Sequence, residues 1–335
     1  MTEQLSLTPP TPPTPPARPP MPAPPPIRRR WLIAMLVGLA CFVGCALVRV
    51  HTPPGASYDG DIWFPLCAAN LMLAGEDPYG GPCTVSWKGV IYPSNPLTTV
   101  LVVFPLLPWK DGIAGPFFIG LSSTLLAAGL LRGGEWWRLL AFLSAPYWSA
   151  LVVVQWSPLL LALLYFPALL PLALAKPHVG LPVFLMRFTL FRALMGAIFV
   201  LLTLLIDPSW PLRWLPQTRS YGGYIPLLVF PIGLVLLAAL WRWRHEQARF
   251  LLLMSLVPQR GFYDALLLWY LPRTPGQMVG LTLASWIGYA AVGGGVSIPF
   301  LVVGSIYGLA LLLVLTSRGP EGVYPQPLTS DISNT

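Results

Sequence analysis

Acidic side chains are scarce in this chain, and four of the 12 Asp and Glu residues lie in one polar stretch, residues 57–96. They are Asp59, Asp61, Glu76 and Asp77, directly after the first strongly apolar run. A carboxylate can take a proton from a hydroxyl group, and neighbouring acids can also hold a divalent cation. We therefore expect the reactive side chains to lie in this stretch. No cofactor is predicted. The alternative is a divalent cation bound at Asp59 and Asp61.

The composition requires a membrane setting for that stretch. Of the 335 residues, 55% are hydrophobic and only 10% are charged, with a mean hydropathy of +0.67, whereas soluble domains have about one quarter charged residues. Long uncharged runs recur at 31–48, 113–131, 139–175 and 274–317. Since a crossing helix needs roughly 20 apolar residues, the last two runs can each hold two. The sequence predicts an all-α polytopic membrane protein with about 8 to 10 transmembrane helices.

The net charge of +8 does not indicate nucleic-acid binding, because the basic residues stand at the ends of apolar runs. The Arg28-Arg29-Arg30 triplet and the group Arg242, Arg244 and Arg249 are typical of cytoplasmic anchors under the positive-inside rule. This places the N-terminus in the cytoplasm and the first loop outside, in a multi-pass protein of the plasma (inner) membrane surrounded by membrane lipids.

The composition and charge pattern divide the chain into three predicted regions. Residues 1–30, rich in Thr-Pro-Pro and Pro-Pro steps, are predicted to be a disordered cytoplasmic tail. Residues 31–317 form the transmembrane domain, with 51–95 as its external catalytic loop, and 318–335 form a flexible C-terminal tail. The first apolar run lacks a small-residue cleavage site and is interpreted as a retained helix.

The external loop itself is predicted to contain a short amphipathic helix. Apolar residues recur at helical spacing and are followed by a glycine: Ile62, Leu66, Ala69, Leu73 and Gly75. Such a helix lies along the membrane surface. Cys67 and Cys83 of the same loop can pair if it faces an oxidising compartment, but the sequence does not fix their distance, so both states stay open.

The topology leaves alternatives in two places. Residues 96–109 form either a short crossing or a half-helix that enters from the outer face. The basic residues that follow 113–131 favour the half-helix. The same count makes 158–175 one inward crossing and places Lys176, Arg187 and Arg192 on the cytoplasmic side. The break at Pro258-Gln259-Arg260-Gly261 is predicted to line the same cavity as the first loop, because free backbone groups and an arginine cannot face lipid.

Several short motifs occur in order within the first 200 residues. They are Asp61-Ile62-Trp63-Phe64, Ala68-Ala69, Leu73-Ala74-Gly75-Glu76-Asp77-Pro78-Tyr79, Tyr92-Pro93, Phe104-Pro105-Leu106, Gln155-Trp156-Ser157-Pro158-Leu159-Leu160 and Ala173-Leu174-Ala175-Lys176-Pro177-His178. Together they resemble the family 87 glycosyltransferases, membrane enzymes of GT-C type related to polyprenyl-phosphate-mannose-dependent mannosyltransferases. The chain departs from the family at Ser94, where a second proline is common, and at Val154, where the family has glycine.

The resemblance implies an inverting transfer of mannose, or a similar hexose or pentose, from a polyprenyl-phosphate donor to a glycolipid or glycan acceptor on the outer face. Such a reaction needs a carboxylate that takes the acceptor hydroxyl's proton while the anomeric carbon is attacked opposite its phosphate. Asp61 matches the family's proposed base, and Asp59 is the reserve candidate. The structural alternative is that both acids cap a helix or favour its N-terminal end.

The other candidates would bind substrate. Lys176 and His178 are candidates for the donor phosphate, although a lysine at the end of an apolar run is often an anchor. Gln155 is expected on the outer side, where its amide needs partners, and Arg260 is a candidate to line the cavity.

Aromatic side chains of the loop, Tyr79, Trp87 and Tyr92, are candidates to stack on sugar faces, with interfacial roles as the alternative. The scattered histidines and the absence of a Cys-x-x-Cys pair argue against a zinc site. A different class of function stays open: a non-catalytic membrane scaffold or transporter subunit that keeps a GT-C-like fold without the reaction.

Overall fold

The computed structural model describes residues 26–51, 59–79, 83, 86–87, 90–91, 95–220 and 222–317. The predicted C-terminal tail and most of the N-terminal tail therefore lie outside the described residues. The tail of residues 1–30 was predicted four residues too long, because the first helix already begins at Ile27. Arginine is a good helix former, so the basic triplet extends the helix beyond its apolar part.

The described chain is helical. Its α-helices are α1 (Ile27–Val50), α2 (Trp63–Leu73), α3 (Leu97–Val103), α4 (Ala114–Leu130), α5 (Ala145–Val153), α6 (Ser157–Leu163), α7 (Pro177–Met186), α8 (Leu190–Ile206), α9 (Trp210–Trp214), α10 (Glu246–Leu256), α11 (Pro275–Ala290), α12 (Ile298–Leu301) and α13 (Gly308–Thr316). Segments of 3₁₀ helix extend or link them, at Gly60–Ile62, Phe104–Trp109, Leu131–Gly133, Trp136–Leu143, Pro167–Ala175, Leu215–Ser220, Pro226–Leu228, Ile232–Arg242, Phe262–Tyr270 and Ala291–Gly294. A π-helical turn, Val302–Tyr307, joins α12 to α13, and strands β1 (Ser86–Trp87) and β2 (Val90–Ile91) pair antiparallel.

Three helices among the described residues are long and apolar enough to cross a membrane. They are α1, residues 114–133 and residues 298–316, and α8 adds a fourth if it counts as one span with residues 210–218, from which it is bent by 88°. These helices are consistent with a membrane protein. Continuous spanning helices are fewer than the 8 to 10 predicted, because the long apolar runs are divided into shorter segments.

Residues 97–109 illustrate this division. Helix α3 continues into the 3₁₀ segment Phe104–Trp109, and together they form a short apolar helix. At 1.5 Å per residue this helix is about 20 Å long, which is less than the roughly 30 Å of hydrocarbon core. Its length favours the half-helix over a full crossing.

The apolar run after Gln155 is a hairpin. Helix α6 leaves Gln155, the chain reverses near Phe166, and the segment Pro167–Ala175 returns, so that Lys176 Nζ lies 3.0 Å from Gln155 Oε1. The prediction that 158–175 is a single crossing, with Lys176 on the side opposite the first loop, is therefore wrong. A proline at the reversal lacks the N–H that a continuous helix needs.

A second hairpin follows the same plan. Helix α10 and the segment Phe262–Tyr270 run out and back, and Gln247 Nε2 at the start of α10 donates to Leu271 O at 3.1 Å. The break at 258–261 therefore lies at the far tip of this hairpin. Its tip points to the end of the molecule that holds Gln155 and Lys176, because Lys176 Nζ contacts Asp264 at 2.6 Å.

Helices α1 and α4 pack antiparallel at very short distance. A Cβ at Gly38 would lie 1.8 Å from Thr124 Oγ1, so glycine is needed there. The N-terminal half of α1 packs beside the C-terminal half of α4, with Arg29 over the Trp136 ring at 5.9 Å. At the other end of α1, Arg49 Nη1 donates to Val152 O at 2.9 Å. The molecule thus has a basic end, around Arg29, and an opposite end that we call the cavity end, around Arg49.

The first loop differs from an amphipathic surface helix. Helix α2 ends at Leu73 with Gly75 at φ +75°, as the sequence predicts. However, its residues from Pro65 to Ala69 are all buried, because α2 packs against α3 and the 3₁₀ segment after it. Helix α2 is therefore packed in the protein interior and does not lie along the membrane surface.

Cys67 and Cys83 form a disulfide, with their Cα atoms 5.6 Å apart. The sequence left open whether these two cysteines pair, and in the structure they do.

The orientation can be tested by labelling single introduced cysteines in intact cells with a membrane-impermeant maleimide. Glu76 is exposed in the first loop and Arg244 is exposed near the basic end. We expect Glu76→Cys to be labelled from outside and Arg244→Cys only after permeabilisation. The unmodified protein is the control, because its free cysteines, Cys41 and Cys45, are buried. The reverse pattern would place the cavity end in the cytoplasm.

Candidate functional site

A cavity of about 550 Å³ lies at the cavity end, within the roughly 300–1,000 Å³ typical of ligand sites. Five of the residues predicted from the sequence line it together: Asp61, Gln155, Lys176, His178 and Arg260. They come from the turn before α2, the α5–α6 junction, the start of α7 and the tip of the second hairpin. The prediction that the break at 258–261 shares a cavity with the first loop is confirmed.

Asp61 is presented by the tight turn Gly60–Ile62. Gly60 has φ +59°, and a Cβ there would lie 2.7 Å from Val153 O, so only glycine fits. The turn directs the Asp61 carboxylate toward Gln155, whose Nε2 donates a hydrogen bond to Oδ2. Burial raises the pKa of Asp61 to about 6, opposed by the Lys176 and Arg260 charges and by the Gln155 hydrogen bond.

The orientation of Gln155 depends on the backbone conformation of the preceding residue, Val154. Val154 has φ +58°, a left-handed conformation that a β-branched residue rarely adopts. Such a conformation costs on the order of 1–3 kcal/mol and persists where the surroundings impose it. Here Val154 ends α5 and turns the chain, so that Gln155 stands between Asp61 and Lys176.

Lys176 connects this pair to a third segment. Its Nζ donates to Gln155 Oε1 at 3.0 Å and to Asp264 Oδ1 at 2.6 Å. Asp264 is fully buried, and its Oδ2 accepts from the Arg260 backbone N–H at 3.0 Å. A continuous polar network therefore runs Asp61–Gln155–Lys176–Asp264.

Sequence reasoning missed Asp264. It is a lone acid in the apolar run Phe262–Tyr270, and ionisable residues in such runs are functional candidates by default. That signal was available in the sequence. Its partner was not, because Lys176 is 88 positions away in the chain.

The remaining cavity wall combines a histidine, His178, with aromatic rings. Further aromatic and amide side chains that the sequence did not single out as site residues also line the cavity: Phe64, Asn95, Trp156, Trp214 and Tyr263. Aromatic faces offer apolar contact area to an isoprenoid chain or to the C–H face of a sugar.

Asp59 has a different role from Asp61. Its carboxylate is fully buried and accepts hydrogen bonds from the backbone N–H groups of Asp111, at 2.6 Å, and Gly115, at 3.0 Å. Gly115 lies in the first turn of α4, and a Cβ there would lie 2.9 Å from Asp59 Cα. Asp59 thus caps α4 from another segment. Asp59 is not among the cavity-lining residues. The prediction that it stands beside Asp61, as a reserve base or as a second cation ligand, is corrected accordingly.

The three aromatic candidates of the loop are not brought into the cavity by the described contacts. Tyr79 is buried in a cluster with Trp210, and Arg213 lies 5.2 Å from its ring centroid. Trp87 lies in β1 and only its backbone is described. Tyr92 lies outside the described residues.

No three His, Cys, Asp or Glu side chains in the described part of the chain are grouped so that they could hold a metal ion. Comparison with known proteins finds no family model, no curated protein and no solved structure that matches the chain. The function of the cavity is therefore inferred from its own residues.

The capping role of Asp59 predicts a stability effect. Asp59→Ala removes the acceptor for two backbone N–H groups, of which that of Gly115 is buried, and should lower the free energy of unfolding by about 1–3 kcal/mol. The measurement is the melting temperature of the purified protein in detergent. Glu76→Ala, an exposed acid of the same loop, is the control and should leave the melting temperature unchanged. Equal melting temperatures for Asp59→Ala and wild type would reject the capping role.

Proposed function

We propose that this protein is a membrane glycosyltransferase of GT-C type, which moves mannose or a similar sugar from a polyprenyl-phosphate donor to a glycolipid or glycan acceptor. The proposal includes 8 to 10 crossings when broken segments are counted, with the N-terminus in the cytoplasm and the cavity at the outer face of the plasma membrane. The observation that carries it is one cavity holding a carboxylate of raised pKa, Asp61, beside two cations, Lys176 and Arg260.

The cations suit the donor. A polyprenyl-phosphate sugar brings a phosphodiester to the membrane surface, and negative charge grows on the departing phosphate as its bond to the sugar breaks. Lysine is a compact phosphate partner and arginine a bidentate one. Lys176 is already held by Asp264 and Gln155, so little reorganisation is needed when charge develops in the reaction.

Asp61 suits the acceptor. With a pKa of about 6 the carboxylate is ionised at pH 7, yet it is more basic than an ordinary aspartate. Both properties favour a general base. The proton of the acceptor hydroxyl passes to Asp61 while that oxygen bonds to the anomeric carbon and the phosphate leaves from the opposite face. The product has an inverted anomeric centre.

The positions that resemble family 87 support the proposal further. Asp61, Gln155 and Lys176 lie in three separate motifs, and they form one hydrogen-bonded chain. Val154, which replaces the glycine of the family, has the left-handed conformation that glycine adopts most easily. That conformation accounts physically for a glycine before Gln155 in the motif.

Replacing Asp61 tests the base. Asp61→Asn keeps the shape of the side chain but cannot accept the hydroxyl proton, so turnover should fall by about 10²- to 10⁴-fold. Turnover is measured with a radiolabelled polyprenyl-phosphate sugar on protein of matched folding. Asp59→Asn is the control and should retain turnover in the folded fraction. If the turnover of Asp61→Asn equals that of wild type, Asp61 is not the base. If wild type transfers no sugar from any such donor, the non-catalytic scaffold becomes the favoured alternative.

The raised pKa also predicts the pH dependence. Because the base must be deprotonated, kcat/KM should fall about tenfold for each pH unit below pH 6 and level off above it. The measurement is initial rates at limiting donor between about pH 4.5 and 8. Residual activity of Asp61→Asn should lack the acidic limb. A wild-type profile that is flat across pH 6 would contradict proton transfer to Asp61.

A further inference from the structure

A second cavity, of about 310 Å³, lies at the basic end. Four arginines line it, Arg132, Arg138, Arg187 and Arg192, with Glu135 as the acid in its wall. Leu164 and Tyr165 also line it, at the reversal of the first hairpin, whereas Gln155 lies at that hairpin's other end. Since α6 separates the two cavities along the hairpin, this is a distinct site.

Two of the arginines are held in place by neighbours. Arg187 donates from Nε to Leu164 O at 2.9 Å, from Nη1 to Glu246 Oε1 at 2.9 Å, and from Nη2 to Tyr270 Oη. Arg192 Nη1 donates to Arg187 O at 2.6 Å. The loop between α7 and α8 is thereby fixed with both guanidinium groups at the cavity.

The other two arginines approach from α4 and from the segment after it. Arg132 Nη1 donates to Tyr165 O, and its guanidinium lies 4.4 Å from the Phe166 ring centroid. Arg138 is buried and its Nε donates to Glu135. The ring contact and the backbone hydrogen bond orient Arg132 without neutralising it, whereas Arg138 is paired with Glu135.

The charges do not balance. Among the described residues, the acids that pair with these four arginines are Glu135 and Glu246, which leaves an excess of two positive charges in this part of the chain. Partly buried cations are costly without anionic partners. Guanidinium groups form parallel hydrogen bonds to phosphate oxygens, so a phosphate-bearing anion fits the excess charge.

We infer that this cavity binds the phosphate of an anionic phospholipid head group at the membrane face of the basic end. Exposed apolar side chains adjoin the arginines between α7 and α8 and at the start of α8: Phe188, 55% exposed, Leu190, 82%, and Phe191, 70%. They offer a contact surface to acyl chains beside a phosphate in the cavity. Basic pockets between helices on the cytoplasmic side are typical sites for anionic lipid head groups, and the positive-inside rule places the basic end there.

The test compares two arginines with matched local contacts. Arg192 Nη1 donates to the carbonyl oxygen of Arg187, and Arg249 Nη1 donates to that of Arg244, each five residues earlier. Arg249 does not line the cavity. Full-length protein is delipidated in mild detergent, and binding of a short-chain phosphatidylglycerol is titrated for wild type, Arg192→Gln and Arg249→Gln.

We expect Arg192→Gln to weaken binding about tenfold, the loss of one charge-assisted hydrogen bond, and Arg249→Gln to bind like wild type. Phosphatidylcholine, which carries no net charge, should bind more weakly than phosphatidylglycerol to wild type. Equal affinity of all three proteins for phosphatidylglycerol would overturn the site. If inorganic phosphate alone binds as tightly as the lipid and displaces it, the lipid assignment is overturned and free phosphate is the ligand.

Folding is checked by melting temperature. If Arg192→Gln melts below wild type, Arg132→Gln replaces it in the comparison, since its described contacts are with Tyr165 O and the Phe166 ring. A folded Arg132→Gln that binds phosphatidylglycerol as wild type does would equally overturn the site. Sugar transfer is measured on the same preparations, so that loss of the outer-face activity is distinguished from loss of lipid binding.

Discussion

The ion pair between Lys176 and Asp264 is the contact on which the arrangement of the cavity depends. It joins the end of the first hairpin to the second hairpin, and through Gln155 and Asp61 it reaches the first loop. Four segments distant in sequence are thus held by one polar network. A buried pair of this kind is weak evidence for stability, because its desolvation cost offsets much of its attraction. We propose that this pair serves donor recognition instead.

The hairpins decide which side chains meet. An apolar run that crosses the membrane once separates its two ends by the full bilayer, whereas a run that reverses halfway returns to its starting face. Because α6 and Pro167–Ala175 reverse, Gln155 and Lys176 meet at the cavity end, and the reversal itself forms a wall of the basic cavity. One topological feature therefore gives the molecule an acid-containing cavity at one end and an arginine-rich cavity at the other.

Much of the cavity could be predicted from motifs, and its topology could not. Asp61, Gln155, Lys176, His178 and Arg260 were recognised as polar residues in apolar surroundings or in family-like motifs. Hydropathy does not distinguish one crossing from two half-length segments, because both are equally apolar. Lys176 was consequently assigned to the wrong end.

Contacts made over long sequence distances account for the other errors. The apolar spacing of α2 fits a surface helix as well as a buried one, and only packing against α3 decides between them. Asp59 and Asp61 are two residues apart, yet one faces the N-terminus of α4 and the other the cavity. Neighbouring acids look equivalent in sequence until the turn at Gly60 directs them apart.

The role of this network in donor binding can be tested by measuring the affinity of a Lys176→Met/Asp264→Leu double variant for a polyprenyl-phosphate sugar. Replacing both members of a buried ion pair with apolar residues is often neutral or stabilising, whereas removing one leaves an uncompensated charge. We expect the double variant to fold, with a melting temperature near or above that of wild type, and to have lost donor binding. A folded double variant that binds the donor as tightly as wild type would contradict the assignment of this network to donor recognition.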